Sequence, residues 1–181
     1  MSPSPWQVRA RTTVADCRVF AVERQDAVRA DGQRAGDFYV LRSHDFVVVV
    51  ALTPRDEVVL VRQYRHGAEA LSLEIPGGLV DPGEDPLAAG LRELEEETGY
   101  RGGEPSLLGW CHPNPAIMNN RCHFVLVRGV TADGAAAWDE HEELEVVVKD
   151  RRAVDRLCRE NTITHSMTLA ALHRLALAER G

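Results

Sequence analysis

The chain has 181 residues, of which 44% are hydrophobic and 27% charged, an ordinary globular composition that is long enough for one well-buried core. A formal net charge of -7 leaves no basic footprint, so general affinity for nucleic acid backbones or an anionic membrane surface is not expected. Phosphate chemistry on such a surface calls for help from cations.

In chain order, Val19 and Ala21 alternate with Phe20 and Val22, Asp31-Gly32 supplies a turn, and Asp37 to Arg42 returns. This predicts a small antiparallel ribbon over residues 1–43, ahead of a main domain over residues 44–181. Phe46 to Leu52 and Val58 to Tyr64 are β-branched runs separated by the turn cluster Thr53-Pro54-Arg55-Asp56, which predicts two core strands. The first run is far too short to span a bilayer. Leu71 to Ile75 predicts a short strand ending at Pro76-Gly77-Gly78, where glycines let the backbone approach a ligand.

Asp85 to Thr98 predicts a helix, with Pro86 suited to its first turn, a Leu87/Leu91/Leu94 stripe for the core, and Gly99 as its stop. Leu107 to Trp110, His123 to Val127 and Leu144 to Val148 predict further strands. Arg151 to Arg159 and His165 to Glu179 predict closing helices, the second on the recurrence of Leu169, Leu172, Leu175 and Leu177. Strands and helices interleave in an α/β pattern without GxGxxG or GxxxxGK[ST] loops. Four cysteines lack CxxC spacing and no basic-then-apolar leader opens the chain, so reduced thiols and a cytoplasmic protein are expected. Cys111 and Cys122 flank a predicted hairpin and are expected to pack as small hydrophobes. Tyr64, Trp110 and Phe20 are read as core aromatics.

Glu93, Glu95, Glu96 and Glu97 put four carboxylates in five positions, and Glu93, Glu96 and Glu97 stand at i, i+3 and i+4 on one helical face. A bare acidic run is commonly a solvated surface. Here a Gly-Gly segment, Glu84, Arg92 and a glycine stop surround it, which suits hard-oxygen binding of a divalent cation and phosphoryl chemistry.

Gly78, Glu84, Arg92, Glu93, Leu94, Glu96, Glu97, Gly99 and Tyr100 stand in the register of the Nudix box: Gly, five residues, Glu, seven residues, Arg-Glu, an aliphatic, any residue, Glu-Glu, any residue, Gly and a hydrophobic. The chain therefore resembles the Nudix hydrolases. Arg62-Gln63-Tyr64-Arg65, Leu73 to Gly78, Pro115 fifteen residues beyond Tyr100, and Ile163 to Ser166 resemble the branch that hydrolyses ADP-ribose and nucleoside diphosphate sugars. The resemblance implies an α/β/α sandwich with a mixed sheet behind the N-terminal ribbon. It implies metal binding by Glu93, Glu96, Glu97 and the Gly77 carbonyl, with Mg2+ as the ion and Mn2+ as its substitute. Arg92 would orient a metal-binding glutamate, and Glu84 would serve as an outer positioning residue.

For the substrate, the resemblance implies contacts from Arg65 to the diphosphate and from Arg62, Leu79, Pro115 and Asn119 around it. Glu142 would be the general base, with Glu140 and Glu143 as rivals in the same acidic loop. It also implies a homodimer formed through the ribbon, and no nucleic acid or membrane partner. Pro113 to Asn120 departs from the branch, offering asparagines where ADP-ribose hydrolases carry an acidic residue. Three readings follow: a diphosphatase of ADP-ribose or related sugar nucleotides, a Nudix hydrolase of dinucleotides or nucleoside triphosphates, and a noncatalytic nucleotide-sugar sensor.

Overall fold

The computed structural model describes residues 3–138 and 143–180. By contacts the chain divides into two compact units, Met1–His44 with His112–Arg121, and Asp45–Cys111 with Cys122–Gly181.

The first unit is an antiparallel sheet of β1 (Trp6–Asp16), β2 (Phe20–Arg29) and β3 (Ala35–Ser43), in that order. The ribbon expected over residues 1–43, read from Val19 to Val22 and the return at Asp37 to Arg42, thus gains a leading strand. Trp6, Val8, Ala10, Thr12 and Val14 alternate with polar residues, but every position of β1 is exposed, so no buried face marked it as a strand. Asp31 and Gly32 fall between β2 and β3, and Gly32 takes a positive φ of 72°. Phe20 is among the exposed residues here, not in a core as expected.

The second unit is a mixed sheet built on β4 (Phe46–Leu52), β5 (Glu57–Arg65), β6 (Ala70–Glu74), β7 (Gly77–Leu79), β9 (Glu104–Cys111), β10 (Cys122–Arg128) and β12 (Glu145–Asp150). Their order is β12-β5-β4-β10-β9, with β6 on β5 and β7 on β4. A small pair joins β8 (Tyr100–Arg101) to β11 (Thr131–Ala132). The β4 and β10 strands run parallel, from Cys122↔Phe46 to Arg128↔Leu52. Both are buried on two faces, which is why Phe46 to Leu52 reads as an unbroken apolar run.

Period-two alternation divides this core. Val48, Val50 and Leu52 of β4 join Phe124 and Leu126 of β10 on one face, packed with residues of α2 (Arg151–Arg159) and α3 (Ser166–Ala178). Val47, Val49 and Ala51 join Val125 and Val127 on the other, packed with Ala89 and Leu94 of α1 (Pro86–Thr98). The expected α/β/α sandwich with its mixed sheet is the observed architecture. None of the described helices is long and apolar enough to cross a membrane.

Two helical faces differ from the leucine count. In α3 the buried positions are Thr168, Ala171 and Leu175, while Leu169 and Leu177 are exposed, because residues at i, i+3 and i+7 share the inner stripe. In α1 the fully buried apolar positions are Ala89, Gly90 and Leu94; Leu87 and Leu91 are only partly covered. Tyr64 and Trp110, expected in the core, are exposed. Cys111 and Cys122 face each other across β9 and β10 as free thiols, and burial pushes the Cys122 thiol up to about 12.

Gly90 explains how closely α1 lies on the sheet. A Cβ there would sit 3.1 Å from Val125 and 3.2 Å from both Val47 and Val49. A mid-helix glycine costs about 0.5–1 kcal/mol relative to alanine, so close packing is the compensating gain. Gly90→Val should therefore lower stability by about 1–3 kcal/mol through overpacking, read as a lower urea midpoint; an unchanged midpoint would mean that α1 is not held this closely.

Candidate active site

A short hairpin sets up the cleft. Strands β4 and β5 pair only at Ala51↔Val59 and Leu52↔Val58, then part, β4 taking β7 as neighbour and β5 taking β6. The segment Glu74-Ile75-Pro76-Gly77 crosses between them. Gly77 and Gly78, expected only to end the preceding strand, form a strand of their own on β4, with Gly77 opposite Val48 and Gly78 opposite Val47. A Cβ on Gly77 would lie 2.2 Å from the Val47 carbonyl oxygen, so no other residue fits.

The helix above this strand is capped at both ends. Asp85 accepts from the N–H groups of Leu87 and Ala88, Pro86 opens the first turn, and Gly99 closes the helix in the left-handed conformation. Together β5, β7 and α1 wall a cavity of about 350 Å³ lined by Gln63, Arg65, Gly77, Gly78, Leu79, Arg92 and the carboxylates of Glu93, Glu96 and Glu97.

Arg92 is the hub of that wall. Its Nε and Nη2 donate to both oxygens of Glu84 at 3.0 Å. Nη1 reaches Glu93 Oε1 at 2.8 Å and Glu96 Oε2 at 3.0 Å, and Nη2 also donates to the Leu79 carbonyl at 3.1 Å. Glu84 in turn accepts from the Asp81 N–H, and the Arg92 guanidinium holds its carboxyl below the usual carboxylate range. Glu97 is buried and accepts the Gly77 N–H at 2.9 Å.

These residues suit a divalent cation. The donors are hard carboxylate oxygens on one helix, facing backbone that carries no side chain: a Cβ on Gly78 would meet the Glu93 carboxyl at 2.4 Å. Among the described residues no three His, Cys, Asp or Glu side chains stand at metal-ligand spacing, and Arg92 holds Glu93 and Glu96 in this arrangement.

The other expected site residues fall as follows. Arg65 lines the cleft, with its Nε and Nη2 on the buried carboxylate of Glu74 at 2.9 and 2.7 Å. Arg62 lies outside that cavity, pairing with Glu145 and lining a separate hollow with Leu71, Trp138 and Glu143. Pro115 and Asn119 belong to the first unit, where the Asn119 Oδ1 accepts the Ser43 N–H at 2.9 Å. Glu142 and its rival Glu140 lie outside the described residues. The chain leading to them hangs on the end of α1, with the Ala137 N–H on the Glu96 carbonyl and the Trp138 indole N–H on the Glu97 carbonyl.

The sequence reading missed Gln63, Glu74 and His165. Glu74 had a signal, a lone acid in an apolar strand, which demands a buried partner. His165 had none. Its Nδ1 lies 3.1 Å from Glu74 Oε2 and 3.0 Å from Thr168 Oγ1, a hydroxyl that also accepts the Ile75 N–H.

A profile described as NUDIX domain matches residues 42–162. The chain is 31% identical over 163 residues to the methanol dehydrogenase activator of Bacillus methanolicus, covering 90% of this chain and 88% of that one. It is 29% identical over 171 residues to the ADP-ribose pyrophosphatase of Bacillus subtilis, covering 94% and 92%. A solved structure titled as an ADP compounds hydrolase superposes with a TM-score of 0.87 at 24% identity, over 100% of this chain and 97% of that one, which shows the shared fold.

Burial works to raise the Glu74 carboxyl, but the Arg65 hydrogen bonds with the His165 and Arg65 charges outweigh it and hold it below its ordinary 4.5. Burial lowers His165 from 6.5 against the pull of Glu74. In both cases the unfolded chain binds protons more tightly, so stability rises with pH across the window between the folded and unfolded values. The contribution is complete above the unfolded values and is lost on acidification, from His165 below 6.5 and from Glu74 below 4.5. Urea midpoints measured against pH should fall in that order, with a flatter upper stage in His165→Asn; identical profiles would show that His165 titrates alike in both states.

Proposed function

This chain belongs to the NUDIX family and is a Nudix hydrolase, and from that premise we propose that it splits the diphosphate of ADP-ribose or a related nucleoside diphosphate sugar into a nucleoside monophosphate and a sugar phosphate. One observation carries the reading: a single cleft joins the carboxylate face of α1, the bare backbone of Gly77 and Gly78, and the guanidinium of Arg65. The name of the Bacillus subtilis relative, an ADP-ribose pyrophosphatase similar along nearly its whole length, favours the sugar nucleotide over other diphosphates.

Enzymes of this family work with a divalent metal, and Mg2+ is the ion we assign, held by Glu93, Glu96, Glu97 and the Gly77 carbonyl. A divalent cation supplies charge neutralisation on the diphosphate and Lewis acidity toward it. Arg92 keeps the acids oriented, through Glu93 and Glu96 directly and through its anchor on Glu84. Arg65 binds the diphosphate by its planar, permanently charged fork, with Leu79 beside it on the cleft wall. Arg62, Pro115 and Asn119 are assigned to the rest of the substrate. Glu142 takes the proton of the attacking water, the role the resemblance gives it.

The ribbon supports a homodimer: Val8, Val14, Phe20, Phe38 and Tyr39 are exposed on a three-stranded sheet, apolar surface that a second copy would cover. Free thiols and the absence of CxxC spacing favour a cytoplasmic setting.

Assays with Mg2+ and ADP-ribose, ADP-glucose, GDP-mannose and dinucleotides, read by phosphate freed from the phosphomonoester products by a coupled alkaline phosphatase, test the substrate; no turnover of any would sink the reading. Glu97→Gln should abolish metal-dependent turnover. Glu142→Gln should slow it by roughly 10²-fold or more with metal binding nearly intact, and wild-type rates in that variant would place the base elsewhere. Light scattering should give the dimer mass.

A further inference from the structure

We infer that Glu74 and His165 are positioning residues, a buried pair that sets the plane of the Arg65 guanidinium in the cleft wall for the substrate's diphosphate. This deepens the function proposed above and rests on it.

Glu74 closes β6, immediately before the crossing to Gly77, and only 1% of its surface is exposed. A carboxylate so placed is tolerated only with close partners. Arg65 provides two hydrogen bonds from one edge of its fork, at 2.9 and 2.7 Å, while 44% of its side chain stays exposed at the cavity. The pair is buried at one end and faces the cleft at the other. A packed apolar pair would serve folding as well. What the ion pair adds is a fixed guanidinium plane, since two parallel N–H···O bonds remove rotation about the end of a flexible side chain.

His165 fixes Glu74 in turn. Its Nδ1 lies 3.1 Å from Glu74 Oε2 and makes its ring hydrogen bond with Thr168 Oγ1 at 3.0 Å, so the imidazole is held by α3 against the carboxylate. The residue stands at the N-cap of α3, a position that favours Ser, Thr, Asp or Asn, yet its side chain makes no capping hydrogen bond. The helix start forgoes its cap, and the ring turns to Glu74 instead. A local rule broken in this way marks a group used for something other than the helix.

A cycle of variants tests the inference, read by calorimetric affinity for ADP and for AMP with Mg2+, by KM and kcat on ADP-ribose, and by urea midpoints. Glu74→Gln and Arg65→Lys should each raise the ADP Kd and the KM roughly tenfold, with kcat within about threefold and AMP affinity little changed. The double variant should be no weaker than the weaker single one. His165→Asn restores a capping side chain, so its urea midpoint should hold or rise while the ADP Kd rises about threefold or more. A merely structural role cannot give those opposite signs.

Wild-type ADP affinity in folded Glu74→Gln, or single effects that multiply in the double variant, would overturn the inference while leaving the proposed activity in place. If the wild-type protein turns over no sugar nucleotide, the proposed activity fails and the ADP-binding cycle still decides the role of Glu74. If Glu74→Gln does not fold, His165→Asn decides it, and unchanged ADP affinity there overturns the inference.

Discussion

Everything at the cleft depends on the backbone of Gly77 and Gly78 passing within van der Waals contact of Val47 on one side and Glu93 on the other. A methyl group on either residue would occupy space now filled by a carbonyl oxygen or a carboxylate. Because the strand can lie that close, its Gly77 N–H meets Glu97, and α1 can bring its acidic face to the split between β4 and β5. Gly90 serves the same end from below, letting the helix settle on Val47, Val49 and Val125. Three glycines thus set the distance between the acidic face of α1 and the backbone opposite it.

That closeness creates an electrostatic problem which Arg92 answers. Glu93, Glu96 and Glu97 repel one another at helical spacing, and Glu97 is also buried. One guanidinium bridges Glu93 and Glu96 while Glu84 holds its other edge, so the acids are ordered and partly neutralised by the chain itself. The same logic recurs at Arg65 and Glu74, with the buried partner now the acid. Each arginine has one edge fixed by a carboxylate off the acidic face of α1, and both line one cavity.

Much of this was legible locally. The spacing of Glu93, Glu96 and Glu97 dictates a shared face, Asp85-Pro86 and Gly99 dictate the helix ends, and unbroken Val runs dictate strands buried on both sides. The failures have a common cause, which is burial set by partners distant in sequence. Strand β1 alternates correctly but has no buried face to announce it. Phe20, Tyr64 and Trp110 are large and apolar, which suggests a core, yet all three are exposed. Arg65, Glu74 and His165 meet from β5, β6 and the start of α3, a convergence no periodicity encodes.

The Pro113 to Asn120 segment shows how such partners decide a residue's role. It carries asparagines where ADP-ribose hydrolases have an acidic residue, and Asn119 is among the expected substrate contacts. The segment is tied to β3 by the Leu41 N–H on the Ile117 carbonyl and by the Asn119 N–H on the Leu41 carbonyl. Asn119 accepts the Ser43 N–H through its side chain, and the buried Asn120 donates to the His44 carbonyl at 2.9 Å. Two strand-edge backbone groups that would otherwise lack partners are satisfied this way, which is the commonest employment of asparagine in a turn-rich loop. The asparagines therefore hold the segment's shape first, and any contact Asn119 makes with a sugar is made from a side chain already fixed at Ser43.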